Sequence, residues 1–187
     1  MPTSAWLLPS GEVFVDSEGR DRGLRLVDVD GDGMVDVVRS EGSVSRVYLN
    51  RGEVPDLLEQ VTTPIGGTIQ YGYAPSTQFD HSGGDAIPDL PAVLQLVTSI
   101  TMDGGPGAGP PVVTTFSYLD GRFDAEDREL RGFGRVVSTR GDRRTVSYFH
   151  QTPALGGLVA AERVTSADDP DRCWSGADHF YTHDASP

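Results

Sequence analysis

The chain is poor in cysteine, in long apolar runs, in positive charge and in helix-forming stretches, and each shortage excludes something. One cysteine among 187 residues, Cys173, rules out an internal disulfide and fits either redox compartment, since a domain of this size needs no cross-links. No apolar run approaches the roughly 20 residues a membrane-spanning helix requires, so direct membrane insertion is not expected. The start, MPTSAWLLPSGEV, lacks a basic region and has only a token apolar stretch, which excludes a Sec signal peptide as the reading. Acidic residues outnumber basic ones 28 to 15, for a formal net charge of -13. Nucleic acid and anionic membrane surfaces select basic patches, so neither is an expected partner.

Glycine and proline are plentiful, 23 and 13, which suits short strands joined by many turns. Strand-like runs follow one another at 12–15, 24–29, 35–38, 44–49, 68–73, 93–100, 112–118, 133–139, 145–150 and 158–165. Two alternate cleanly between apolar and polar residues, Thr68-Ile-Gln-Tyr-Gly-Tyr and Thr145-Val-Ser-Tyr-Phe-His, the mark of a half-buried strand. Only 56–61 and 124–130 read as a helical turn or two. The expectation is an all-β protein. Stretches 80–91 and 103–111 are Gly/Pro-rich and read as surface loops. The second has neither the Lys-Ser/Thr nor the helix that a phosphate-binding loop needs. A composition shift near residues 50–55 divides the chain into 1–52 and 53–187.

The densest chemistry lies in DVDGDGMVDVV, residues 28–38, with four aspartates in nine positions. Carboxylates that close repel one another unless a cation joins them. Asp28, Asp30 and Asp32 fall at positions 1, 3 and 5 of a loop, Met34 at 7 and Asp36 at 9. An EF-hand-type loop offers oxygens to calcium from those positions, a backbone carbonyl serving at 7 and a turn-making glycine at 6, here Gly33. Position 12 is Arg39 in place of a bidentate glutamate, and the flanks Leu24-Arg-Leu-Val and Val35-Asp-Val-Val read as strands rather than helices. Gly31 and Gly33 supply the positive φ of a tight loop. The reading is therefore a calcium loop at a β-hairpin tip, with Asp28, Asp30, Asp32, the Met34 carbonyl and Asp36 as ligands. The plain alternative is a solvated Asp-Gly turn, but such a turn needs one aspartate, not a ladder at odd positions.

No catalytic constellation emerges. His179 and His183 form H-x-x-x-H, yet the residues between them are strand-like and no glutamate follows the first histidine. His150 reads as a structural hydrogen-bonder and Cys173, with only Arg172 beside it, as inert. The acidic runs at 124–127 and 168–171 read as solvated turns. The chain is expected not to be an enzyme.

Several stretches together resemble one family. LRLVDVDGDGMVDVV followed by VYLNRG resembles an FG-GAP-type propeller hairpin. PDLLEQVTTPIGGTIQYGYAPST, FSYLDGRFDAEDRELRGFGRV and VSYFHQ resemble, in that order, the middle region of the B component (TcdB/TcaC type) of insecticidal toxin complexes and of SpvB-type proteins. The resemblance covers about residues 24–165. It implies a partial β-propeller-like blade followed by antiparallel strands that open a Rhs-type β-shell. That shell encloses a toxic polypeptide, and the propeller gates its passage. The implied partners are an A-type translocation channel and a C-type toxin component. The implied setting is extracellular as part of the complex, or cytoplasmic before release. Family members are many times longer, so a fragment is expected. A free-standing calcium-dependent adhesion module is the competing reading. SpvB-type proteins can also carry an ADP-ribosyltransferase domain, but nothing here matches its catalytic site.

Overall fold

Residues 8–83 and 89–182 are described by the computed structural model. Among them the chain forms eleven β-strands and one 3₁₀ turn, Ser76–Gln78, with no α-helix. It separates into two units, Met1–Leu57 and Leu58–Pro187.

In the first unit, β1 (Leu24–Val27), β2 (Asp36–Glu41) and β3 (Val44–Tyr48) pair antiparallel in chain order. Gly42, at φ 56°, turns β2 back into β3. The rungs Leu24–Arg39–Arg46 and Leu26–Val37–Tyr48 share one face, on which Leu24 and Val37 are buried. The run at 12–15, expected as a strand, contributes only an isolated bridge from Val15 to Asp21. Asp16 stops it, because its carboxylate collects the amides of Glu18 and Arg20 at 2.9 and 3.0 Å and closes a turn.

Just before that turn, Glu12 is buried and ion-paired. Its carboxylate accepts from the Tyr48 hydroxyl at 2.7 Å and from Arg39 Nη1 at 2.8 Å. The Tyr48 hydrogen bond first, and then Arg39, hold the Glu12 carboxyl below its ordinary 4.5 against the opposing effect of burial. A group depressed in the folded state contributes stability that is complete above its unfolded value and is lost as pH falls through the folded one. The first unit should therefore lose stability progressively below pH 4.5. Glu12→Gln should lower its melting temperature at neutral pH and flatten that acid limb, as a melting series from pH 7 downward would show. An acid limb unchanged in Glu12→Gln would assign it to other carboxylates.

The second unit is one eight-stranded antiparallel meander. Its strands are β4 (Gln60–Thr62), β5 (Thr68–Pro75), β6 (Gln95–Asp103), β7 (Val112–Asp124), β8 (Glu129–Arg140), β9 (Arg143–Phe149), β10 (Val159–Ser166) and β11 (Cys173–Asp178). Hydrogen-bonded order equals chain order, and the extensive strand contacts are all between such neighbours. Leu96, Val137, Val146 and Val164 are its buried aliphatic residues. The edges are the three-residue β4 and the wholly exposed β11.

The helical readings of 56–61 and 124–130 are corrected by the structure. Gln60–Thr62 pairs with β5. Residues 124–128 form the tight turn of the long β7–β8 hairpin, where Asp124 accepts the amides of Glu126 and Asp127 at 3.0 and 3.1 Å. The charges that suggested a helix close the hairpin instead. Buried Arg131 pairs with Glu129, Asp127 and Asp124, and Arg128 takes φ 53°.

The segment between β5 and β6 packs Phe79 and His81 against Tyr118 and Phe133 of that hairpin, with ring centroids 5.0–5.6 Å apart in the three closest pairs. Buried His81 accepts the Gly121 amide on Nδ1 at 3.0 Å, which places its proton on Nε2, 2.9 Å from the Ser76 carbonyl oxygen that accepts it. Gly121 is required there, since a Cβ would meet Leu90, His81 and Phe133 at 2.7–2.9 Å. Gln151 of the Tyr-Phe-His-Gln run donates Nε2 to the carbonyls of Asp120 and Gly132 at 2.7 and 3.0 Å. Gly134 also sits at a close approach, where a Cβ would lie 3.1 Å from Asp120 and from Gln151. Residues 84–88 of the 80–91 loop lie outside the described residues.

Candidate metal centre

The loop joining β1 to β2 runs from Asp28 to Val35, and its aspartates do different work. Gly31 and Gly33 adopt φ 74° and 86°, which lets the loop wrap around Asp28. Both Asp28 oxygens accept backbone amides, Gly31 at 2.7 Å and Gly33 at 2.8 Å. Asp32 accepts the Met34 amide at 2.7 Å and so shapes the turn itself. Asp36, the first residue of β2, is only 1% exposed. Its Oδ1 accepts the Asn50 amide at 2.7 Å and its Oδ2 the Val29 amide at 2.9 Å. Those two amides, Asn50 first, hold its carboxyl below the ordinary 3.8 despite burial.

Among the described residues, Asp28, Asp30 and Asp36 form a group whose ligand oxygens all lie within 4.8 Å of one another. Asp32 is outside that group. The positive charge paired with the group is Arg51 Nη1, 3.9 Å from Asp30 Oδ2 on a largely exposed side chain. A carboxylate oxygen that accepts one amide still has a lone pair to give. The donors are all hard oxygens, with no imidazole or thiolate, a set that suits calcium or magnesium rather than zinc or copper.

The other candidate residues belong to the second unit. The His150 ring meets Tyr181 edge-on at 5.7 Å. Exposed Cys173 donates Sγ to the Ser175 carbonyl at 3.3 Å. His179 uses its backbone amide to bond Ala160, and His183 lies outside the described residues. Sequence reading missed the pairing of Glu12 with Arg39 and Tyr48, residues 27 and 36 positions away. The one available signal was a charged residue at the head of an apolar run. No helix among the described residues is long and apolar enough to cross a membrane.

No curated protein matches the sequence. Among solved structures, a crystal structure of TcdB2-TccC3 without the hypervariable C-terminal region is similar over 83% of this chain and 11% of that one, at 18% identity and TM-score 0.66. A crystal structure of TcdB2-TccC3 matches over 91% and 12%, at 18% identity and TM-score 0.64. The structure of the Photorhabdus luminescens Tc holotoxin pore matches over 83% and 11%, at 16% identity and TM-score 0.63. The likeness is one of fold, and the chain spans only 11–12% of the length of these chains. The family model described as "Insecticide toxin TcdB middle/N-terminal region" matches residues 10–153, well over half of the sequence, and the chain belongs to that family.

Proposed function

We propose that this chain is a non-enzymatic structural module of a toxin-complex B-type component, and that it helps to enclose or gate a toxic polypeptide before translocation. The observation that carries the reading is the second unit. It is an open antiparallel sheet of eight strands whose two edge strands, β4 and β11, are exposed. Open edges are how a segment of a larger shell joins the rest of it. The first unit, with its exposed Val27, Val29, Val35, Val47 and Leu49, is the corresponding piece of an FG-GAP-type propeller, where each blade buries its surface against neighbours. An A-type channel and a C-type toxin component are the proposed partners, in an assembly released from the cell.

Calcium belongs to the same proposal. Asp28, Asp30 and Asp36 would hold the ion, with Asp32 and the Met34 carbonyl contributing from their loop positions. Bound there, it would neutralise the carboxylates and tie β1 to β2.

The enclosing role is tested in the full-length component that carries this segment, bound to its C-type partner. Val137 and Val146 face each other across β8 and β9 and are both buried. Val137→Asp combined with Val146→Asp should therefore open the sheet. The expected result is a cargo polypeptide protected from protease in the wild-type complex and digested in the variant. Equal protection in a variant whose sheet has demonstrably unfolded would refute the enclosing role.

A further inference from the structure

At the turn of the β8–β9 hairpin, Arg140 and Arg143 stand directly opposite each other, and like charges across a rung are unfavourable on their own. With Thr114, Ser138 and Thr145 they line a cleft of about 290 Å³ that contains no carboxylate. Ser138 and Thr145 form the next rung but one inward. All 15 basic residues of this chain are arginine, set against 28 carboxylates, so pairing is not limited by a shortage of acid. Yet the ion pairs among the described residues leave these two guanidiniums out.

We propose that this cleft binds a carboxylate side chain presented by an acidic polypeptide segment of a protein partner. Two guanidinium forks match carboxylate geometry and can bind it bidentately, and the three hydroxyls supply further donors. The chain's net charge of -13 repels extended polyanions such as nucleic acid or an anionic bilayer, which leaves a ligand of few charges. The cleft also sits on an open sheet, a surface along which a polypeptide backbone can lie. This inference is independent of the calcium site and of any enclosing role.

The test is fluorescence anisotropy of the 187-residue chain with a labelled pentapeptide of alternating serine and aspartate. Binding is expected, weakening about tenfold as sodium chloride is raised from roughly 50 to 500 mM. Arg140→Gln with Arg143→Gln should weaken it about a hundredfold, since each lost charge-assisted pair costs on the order of a factor of ten. Arg140→Lys with Arg143→Lys keeps the charge but not the fork and should fall between the two. It also serves as the reading variant if the glutamine pair fails to fold. Unchanged affinity in the folded variants would overturn the proposal, as would equal binding of the asparagine version of the peptide. Inorganic phosphate displacing the peptide at equal or lower concentration would instead make this a small-anion site and sink the polypeptide reading.

Discussion

A Gly23→Ala chain is expected to melt its three-stranded unit far below the wild-type temperature, while the amides of the eight-stranded sheet keep their protection. Gly23 has φ 68°, and a Cβ there would lie 2.0 Å from the Ser40 carbonyl oxygen and 2.7 Å from its carbon. The same two residues are joined by the Ser40 amide donating to the Gly23 carbonyl at 2.9 Å. Backbone meets backbone, so no rotamer change relieves the clash, and β1 must part from β2. Left-handed strain and overpacking together should cost about 3–5 kcal/mol. Gly42→Ala is the control. It also has positive φ, 56°, but nothing lies within 4 Å of its added Cβ, so only the left-handed penalty of about 1–2 kcal/mol applies. Hydrogen exchange at Val37 and Val137 reports the two units separately. Equal losses for both substitutions would show that the approach of Ser40 does not matter.

The second large effect concerns the aspartate loop. In calcium the first unit should melt later than in chelator, by about 2.7 kcal/mol of added stability when free calcium is 100 times its dissociation constant. Magnesium should do less, because it demands a tight octahedron and sheds its water reluctantly. Two substitutions separate the metal from the fold. Asp30 has Arg51 as its recorded charge partner, so Asp30→Ala should abolish the calcium response and leave the chelator curve close to wild type. Asp36 accepts two buried amides, so Asp36→Ala should lower the chelator curve as well, by about 2 kcal/mol or more for the two stranded donors. Identical wild-type curves in calcium and chelator would reduce the aspartate ladder to a turn.

How much of this could be read from residue order depends on how local each cause is. Thr68-Ile-Gln-Tyr-Gly-Tyr and Thr145-Val-Ser-Tyr-Phe-His alternate because a half-buried strand imposes that period, and β5 and β9 stand where those runs are. β4 and β11 were missed for the opposite reason. At the sheet edges every residue of both is exposed, so burial imposes no pattern on Gln60-Val-Thr or on Cys173-Trp-Ser-Gly-Ala-Asp. Residues 124–130 carry charges at helical spacing, but the same spacing lets Arg131 reach back to Asp127 and Asp124 across a turn. In the loop, spacing placed Asp28, Asp30, Asp32 and Asp36 in one ladder with the Met34 carbonyl; the oxygens of Asp28, Asp30 and Asp36 lie within 4.8 Å of one another, and Asp32 falls outside that group. The burial of Asp36 was not legible, because one of its amides comes from Asn50 beyond the end of β3. The Arg140–Arg143 cleft was equally hidden, since it requires knowing that two turn-flanking residues share a rung.

The strand order of the larger sheet has a kinetic consequence. Each strand's hydrogen-bonding partners are the strands made immediately before and after it, and the longest connection, between β5 and β6, spans residues 76–94. Loop-closure entropy is correspondingly small at every step, and low contact order favours fast folding for a sheet of this size. After β4, every strand finds a partner already synthesised. The order of translation and the order of assembly coincide, so the sheet can zip from β4 onward as the chain leaves the ribosome, exposing only one growing edge at a time to its surroundings.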